Sequence, residues 1–426
     1  MKDDVAFTNC RIVNVENGSI GYNETIIIRN ESVLEVGQLK LPYESDIKIM
    51  DMQGMWVLPG IIDLHVHICE EADPILAADF SLKEPEIITG IRASKNLNEA
   101  IIHGITTVRD AGAHEARNIK VGQGVLKKVI IGPKIYSCGY LITYPQGHMH
   151  DHGIQIRGSE QAREAVKKNI ELGADYIKIA SDPEDTEAKG RTPNPALIFE
   201  ELNSVTEEAH RSGLKVAVHT FPSIKGVTTA LKAGVDTLEH AVPLTDKILE
   251  CFIRQDVIIV PTFVAAYDEY PLKIVVDRLG ISWQKLKIYE VTNYSKKWSE
   301  PLRPNGVPES IAIWFDYLLE YLPIAIENNV RIGIGTDAGC VGTNFRSAIR
   351  EMFLLTQLGA TNLQVIQYAT LNGAKALGSE VVGKIESGYQ ADLIFLDQNP
   401  IEKLEALLNV KLVVTRGNLI SKEGIK

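Results

Sequence analysis

The sequence predicts an α/β protein: a parallel (β/α)8 TIM barrel over residues 58–380, with a small β-sandwich domain assembled from both chain ends, 1–57 and 381–426. Three observations predict it. Across the middle of the chain, buried-type apolar strands alternate with amphipathic helices over roughly 300 residues, the order expected of a parallel barrel. Both ends carry a different texture, short β-branched runs cut by Asn, Gly and Pro turns. Ionisable residues recur where the middle strands end, which is the face on which barrels of this kind carry their chemistry.

Taken in order, the N-terminal runs are "AFTNCRIVNV", "ETIIIRN" and "SVLEVG", and the C-terminal ones lie in "GKIESGYQADLIFLD" and "VKLVVTRGNLIS". No long helix interrupts either set, so the economical arrangement pairs the two ends. Between them eight strands are expected: "GIIDLHVH", "GITTVRDAG", "KIYSCGY", "YIKIAS", "KVAVHT", "TLEHA", "VIIVPTF" and "RIGIGTDAG". Segments such as "GSEQAREAVKKNIELGA" and "PALIFEELNSVTEEAHRSG" have helical periodicity. An open doubly wound sheet would call for a Gly-rich phosphate turn after the first strand, and the chain has none.

Composition narrows the partners. With 44 basic against 55 acidic residues the net charge is −11, so no positive field gathers phosphate backbones or anionic lipid, and neither nucleic acid nor membrane is expected as a partner. The opening "MKDDVAFTNCRIVNV" has no apolar core of signal-peptide length, which predicts a cytoplasmic protein. Five scattered cysteines, Cys10, Cys69, Cys138, Cys251 and Cys340, form no CxxC pair. They read as small buried hydrophobes rather than a disulfide framework or a zinc cluster.

The chemistry starts at "LPGIIDLHVHICEE". His65 and His67 are two apart, and on a strand a period of two puts both imidazoles on one face. The ends of the other expected strands add Lys178, His219, His240 and Asp337. A single buried histidine is usually a satisfied core residue. Lys178 between Ile177 and Ile179 is harder to explain that way, because a buried lysine must be neutral, paired or modified. Imidazoles and carboxylates together suit zinc or a similar ion, and two ions about 3.5–4 Å apart can share a hydroxide that attacks a carbonyl or phosphoryl centre. Lysine carboxylated by CO2 would supply two oxygens to span such a pair.

The set "DLHVH", Lys178, "VAVHT", "TLEHA" and "GTDAG", with the closing "LNGAKALGSEVVGKIESGYQADLIFLD", resembles the amidohydrolase superfamily. It is most similar to the imidazolonepropionase-like branch that includes metal-dependent prolidases and Xaa-dipeptidases. The resemblance covers nearly the whole chain. It implies a first divalent ion, zinc by expectation, on His65, His67 and Asp337, a second on His219 and His240, and carboxylated Lys178 bridging them. It further implies that Asp337 takes the proton of the attacking hydroxide and hands it to the leaving amine. Deaminase-like relatives carry His-x-x-Glu after the fifth strand; here Pro222 stands at the Glu position, which favours the two-metal hydrolases.

In the loop after the third strand, "CGYLITYPQGHMHDHGIQIRG", the resemblance matches His148 to the imidazole that polarises the scissile carbonyl. His150 and His152, two residues apart, are pocket-lining candidates. Prolidase relatives have His-Ala-Tyr after the fifth strand where this chain has His219-Thr220-Phe221, and Phe221 has no hydroxyl. Tyr144 and Tyr267 are therefore candidates for a phenol at the substrate. Arg109 matches a family arginine, with an ion pair to Asp110 or another local carboxylate as the plainer reading. His103, His114 and His210 receive no function. The stretch 268–308, with Trp283 and Trp298, is longer than a barrel connection needs and would cover the pocket or form a contact in a homo-oligomer. The function expected is metal-dependent hydrolysis of a small amide, a dipeptide or N-acyl amino acid, with cyclic amide, lactone or phosphoester hydrolysis as the alternative.

Overall fold

The computed structural model describes residues 4–40, 47–72, 80–181, 197–220, 223–240, 243–289, 306–307, 309–340 and 342–420. Seven of the eight expected middle strands form: Ile61–Val66, Ile105–Asp110, Lys134–Ser137, Ile177–Ala180, Val216–His219, Thr237–Glu239 and Ile258–Val260. The first three make one parallel sheet. The last four continue a second parallel sheet, which begins with Gly153–Gln155 and Leu141–Thr143. A backbone bond from Asp175 N to Ser137 O (2.7 Å) ties the two sheets. Parallel strands separated by helices fit a TIM-barrel-like domain.

The eighth strand is a correction. Residues 331–339 form no regular strand and make only isolated bridges, among them Ile332 with Ile259 and Ala338 with Val66. The cause is Gly333 and Gly335: a Cβ at either would fall 2.4 Å from Leu64 Cδ1 or 2.3 Å from Val260 Cγ1. Glycine lets the segment lie close to both neighbours, and side chains from those neighbours fill the space that a regular strand's own would take. Backbone bonds still run both ways, from Leu64 N to Ile334 O (2.8 Å), from His67 N to Ala338 O (2.7 Å) and from Gly333 N to Ile259 O (2.9 Å). Asp337 N donates to His65 O at 2.7 Å, so this segment fixes the aspartate beside the first strand.

The helices pack by their apolar periodicity. In Gly158–Leu172, Ala162, Ala165, Val166 and Asn169 face inward, spaced i, i+3, i+4 and i+7, and the helix stops at Gly173, whose φ of +92° suits glycine. Phe199–Arg211 buries Leu202, Val205 and Ala209, and the Glu201 carboxylate accepts from Ile198 N at 3.0 Å to hold its start.

Both chain ends meet in one sheet. Trp56–Pro59 pairs in parallel with Val5–Val13 and antiparallel with Leu393–Leu396, at Pro59 with Leu393 and Leu58 with Ile394. The path continues without a break from Asn418–Ile420 to Ser32–Gly37, with Lys48–Asp51 beside Val5–Val13. Phe7, Ile26, Val57, Leu393, Phe395 and Val414 form a core of their own, with the Phe7 and Phe395 rings 5.1 Å apart. Among the described residues no helix is long and apolar enough to cross a membrane.

Gly335→Ala should destabilise the protein by about 1–3 kcal/mol, because Val260 is fully buried and its Cγ1 has nowhere to move. Urea denaturation should show a lowered midpoint at unchanged slope; an unchanged midpoint would mean that the segment can withdraw from the strands beside it.

Candidate metal centre

The predicted strand-end residues do converge. His65 and His67 leave the first strand with ring centroids 5.5 Å apart, His65 lies 4.8 Å from His240, and His240 lies 4.3 Å from His219. His148 stacks on His219 at 4.3 Å with the planes 12° apart, so the loop after the third strand reaches the same cluster. Asp337 Oδ1 is 3.4 Å from His65 Nε2 and 3.2 Å from His67 Nε2. Lys178 is buried, with Nζ 3.8 Å from Glu239 Oε2 and no hydrogen-bond partner.

Glu239 is the residue that strand-end reading missed. It is fully buried and takes three partners: His65 Nδ1 at 2.6 Å on Oε2, and Arg109 Nη2 at 2.8 Å and Thr237 Oγ1 at 2.7 Å on Oε1. An ionised carboxylate only accepts, so His65 Nδ1 carries the proton and its Nε2 lone pair is free to face Asp337. His240 is oriented the same way by a hydroxyl. Thr262 Oγ1 donates to Pro261 O (2.8 Å) and so must accept from His240 Nδ1 at 2.8 Å, leaving His240 Nε2 unprotonated, buried and without a partner. Both ligand tautomers are set by the structure around them. The backbone also bends for this arrangement, since His240, Thr262 and Asp337 all adopt left-handed φ, 66°, 47° and 61°. Non-glycine residues take that conformation at a cost and cluster at functional sites.

Charge follows from these contacts. Burial together with the nearby Lys178 pushes His65 down to about 4. Burial, with the other imidazoles around them, holds His219 and His240 well below the ordinary histidine value. Burial opposes the charge on Glu239, yet Lys178, Arg109 and His65 keep its carboxyl well below the usual range. Asp337 is likewise held low, against burial, by His65 and His67. Burial lowers the Lys178 ammonium. His67 alone shifts the other way, raised against burial by the Asp337 carboxylate. The result is neutral His65, His219 and His240 around an ionised Asp337, the protonation states that a cation requires of its ligands.

A cation fits this donor set. Ligands about 2.0–2.1 Å from one ion at angles of about 90–110° stand roughly 2.9–3.4 Å apart, and the two Asp337 contacts, 3.2 and 3.4 Å, lie in that range. Donor atoms of His65, His240 and Asp337 lie within 4.8 Å of one another, as do those of His67, Asp337 and Cys340. The grouping departs from the expected one: Asp337 belongs to both sets, and His219 to neither.

The substrate candidates divide. His148 is at the cluster. Tyr144 is partly buried, and the backbone turns just after it, with Gly147 N donating to Tyr144 O at 2.9 Å. Arg109 is corrected from a substrate contact: it is fully buried, with Nε on Leu64 O (2.7 Å) and Nη2 on Glu239. The plainer reading, an ion pair, is met by Glu239 and not by Asp110, which accepts from Ile68 N at 2.8 Å and Asn118 Nδ2 at 2.7 Å, fixing the turn after His67. Tyr267 is fully buried in the helix Phe263–Glu269 with the Arg350 guanidinium over its ring. Phe221 and Pro222 lie outside the described residues, as do Trp298 and most of 290–308. His150 Nδ1 is 3.1 Å from Gly147 O, and His152 Nε2 is 3.6 Å from Glu70 Oε1. Cys340 is not simply a buried hydrophobe, since its Sγ lies 3.2 Å from Asp337 Oδ1.

Residues 56–420 match the Amidohydrolase family. The chain belongs to the amidohydrolase family. It is an enzyme that hydrolyses carbon–nitrogen bonds. This amidohydrolase is 25% identical over 406 residues to the ochratoxinase of Aspergillus niger, covering 87% of this chain and 76% of that one. Among solved structures it resembles a Xaa-Pro dipeptidase with bound methionine in the active site (TM-score 0.80, 24% identity, 98% of this chain and 100% of that one). It also resembles a putative prolidase from Bifidobacterium longum (TM-score 0.77, 26% identity, 98% of this chain and 94% of that one).

Protein stripped of metal should lose stability on acidification in a window set by these groups. His65, His219 and His240 have folded values below the ordinary 6.5, so the unfolded chain binds protons first and stability falls as the pH drops below about 6.5. Glu239 and Asp337, held low, add to the loss below about 4.5. His67 and the buried carboxyls of Asp63 and Glu351, pushed up to about 7 and about 8, bind protons on folding and oppose this loss. Thermal midpoints measured in chelator should therefore fall most steeply below about pH 4.5, where only the losses remain; a midpoint that rises from about pH 6.5 to about pH 4 would contradict the burial of neutral imidazoles.

Proposed function

We propose that this amidohydrolase cleaves the amide bond of a small substrate, a dipeptide or an N-acyl amino acid, at two divalent cations, with zinc the ion its ligands suit best. One observation carries the reading: His65 Nε2, His67 Nε2, His240 Nε2, Asp337 Oδ1 and Lys178 Nζ belong to one buried cluster, and two of them, His240 Nε2 and Lys178 Nζ, have no hydrogen-bond partner. Likeness to an ochratoxinase, a Xaa-Pro dipeptidase and a putative prolidase supports amide chemistry.

His65, His67, His219, His240 and Asp337 would hold the cations, with Lys178 as a CO2-derived carboxylate between them. When bound, such cations supply Lewis acidity, lowering the pKa of water and drawing charge from a carbonyl. The rest is the work of the chain. Glu239 and Thr262 keep His65 and His240 in their ligating tautomers, so neither ring must reorganise. Asp337 accepts the proton of the attacking water and delivers it to the leaving nitrogen, general base and then general acid. His148, stacked on His219, donates to the carbonyl oxygen as negative charge grows there. Lys178 is suited to carboxylation because burial favours its neutral, nucleophilic amine.

We assign these residues to a closed (β/α)8 barrel over 58–380, with 1–57 and 381–426 as a β-sandwich end domain. We also assign the enzyme to a homo-oligomer in the cytoplasm, acting on a small molecule rather than on nucleic acid or membrane.

Elemental analysis of protein purified without chelator and supplemented with zinc should find two ions per chain, and a panel of dipeptides and N-acyl amino acids should be turned over. No turnover by fully loaded protein would shift the assignment to cyclic amides, lactones or phosphoesters. His148→Ala should lower kcat by roughly 10²–10³ with little change in KM, the size of a lost oxyanion donor. Lys178→Ala should be inactive and partly rescued by short carboxylic acids, whereas full activity without them would rule out the carboxylated lysine.

A further inference from the structure

Cys340 is three residues past Asp337, on the turn that ends the segment 331–339. Gly339 makes the turn possible: its φ is +100°, and a Cβ there would lie 2.4 Å from the His67 carbonyl oxygen. The chain folds back at once, with Cys340 N donating to Asp337 O and Gly339 N to Thr343 O, both at 3.0 Å. Cys340 Sγ is thereby brought within 3.2 Å of Asp337 Oδ1, the same oxygen that faces His67 Nε2 at 3.2 Å. Donor atoms of all three residues lie within 4.8 Å of one another. His67 is only 5% exposed. For an ion with Zn–S near 2.3 Å and Zn–O near 2.0 Å, a bond angle of about 90–110° sets sulfur and oxygen roughly 3.0–3.5 Å apart, and the observed contact agrees.

We propose that Cys340 is a thiolate ligand of the cation held by His67 and Asp337. The inference rests on the metal centre proposed above and adds to it a donor of different chemistry. On binding, the S–H bond breaks, a metal–sulfur bond forms and the proton leaves to solvent; no electron is transferred. A soft sulfur at this position favours zinc, cobalt and cadmium over magnesium and manganese, ions that prefer oxygen.

Cobalt substitution tests this by absorbance, independently of turnover. The full-length enzyme loaded with Co(II) should show a near-ultraviolet thiolate-to-cobalt charge-transfer band that is lost in Cys340→Ser at equal cobalt content. Cobalt-loaded wild type without the band, or a band that survives in Cys340→Ser, overturns the assignment while leaving the metal centre intact. Protein that takes up no cobalt overturns the metal reading itself and this ligand with it. Should the serine variant fold poorly, Cys340→Ala gives the same comparison, and the wild-type spectrum alone remains decisive if it lacks the band.

Discussion

The site depends on a buried carboxylate. Glu239 sits in a strand with no exposed surface, and without Arg109 its charge would be too costly to bury. With Arg109 in place it can orient His65, accept from Thr237 and stand near Lys178. Arg109 itself is tied to Leu64 O, so the same guanidinium joins the first, second and sixth middle strands below the histidines. His65 is consequently supported from behind by a strand rather than by a loop, which is what accurate ligand geometry requires.

The sequence made the outer chemistry legible and left its support hidden. His65 and His67 were readable because strand period alone puts two residues i and i+2 on one face. Lys178 was readable because an ammonium between two isoleucines is out of place in a buried strand. Glu239 is hidden from strand-end reasoning: His240 ends the strand, but its left-handed backbone turns the chain there, so that Glu239 and His240 both serve the centre. The signal was available, since Glu in "TLEHA" and Arg in "TTVRDAG" are opposite charges on two buried strands. Nothing in the local sequence says that they meet, because they are 130 positions apart.

Two other departures have a steric cause. An apolar run with a period of two reads as a strand, but in "RIGIGTDAG" the glycines give their volume to Leu64 and Val260, and regular pairing is reduced to bridges. Tyr267 was chosen for its hydroxyl, a property of the side chain, whereas its place was decided by the packing of the helix that carries it. Pattern predicts which face a residue occupies; the depth to which neighbouring elements bury that face is a tertiary matter.

The sheet made from both chain ends has a consequence for how the protein is born. Trp56–Pro59 is a central strand, yet one of its two neighbours, Leu393–Leu396, is more than 330 residues further along. At ribosomal rates of about 5–20 residues per second, the edge that Leu393–Leu396 will cover stays open for roughly 15–70 s while everything between is synthesised. Through that interval the nascent N-terminal strands present unpaired backbone and the apolar side chains of Phe7, Ile26 and Val57, which wait for Phe395 to complete their core. Chaperone dependence and aggregation on slow translation would therefore be governed by this sheet rather than by the histidine cluster.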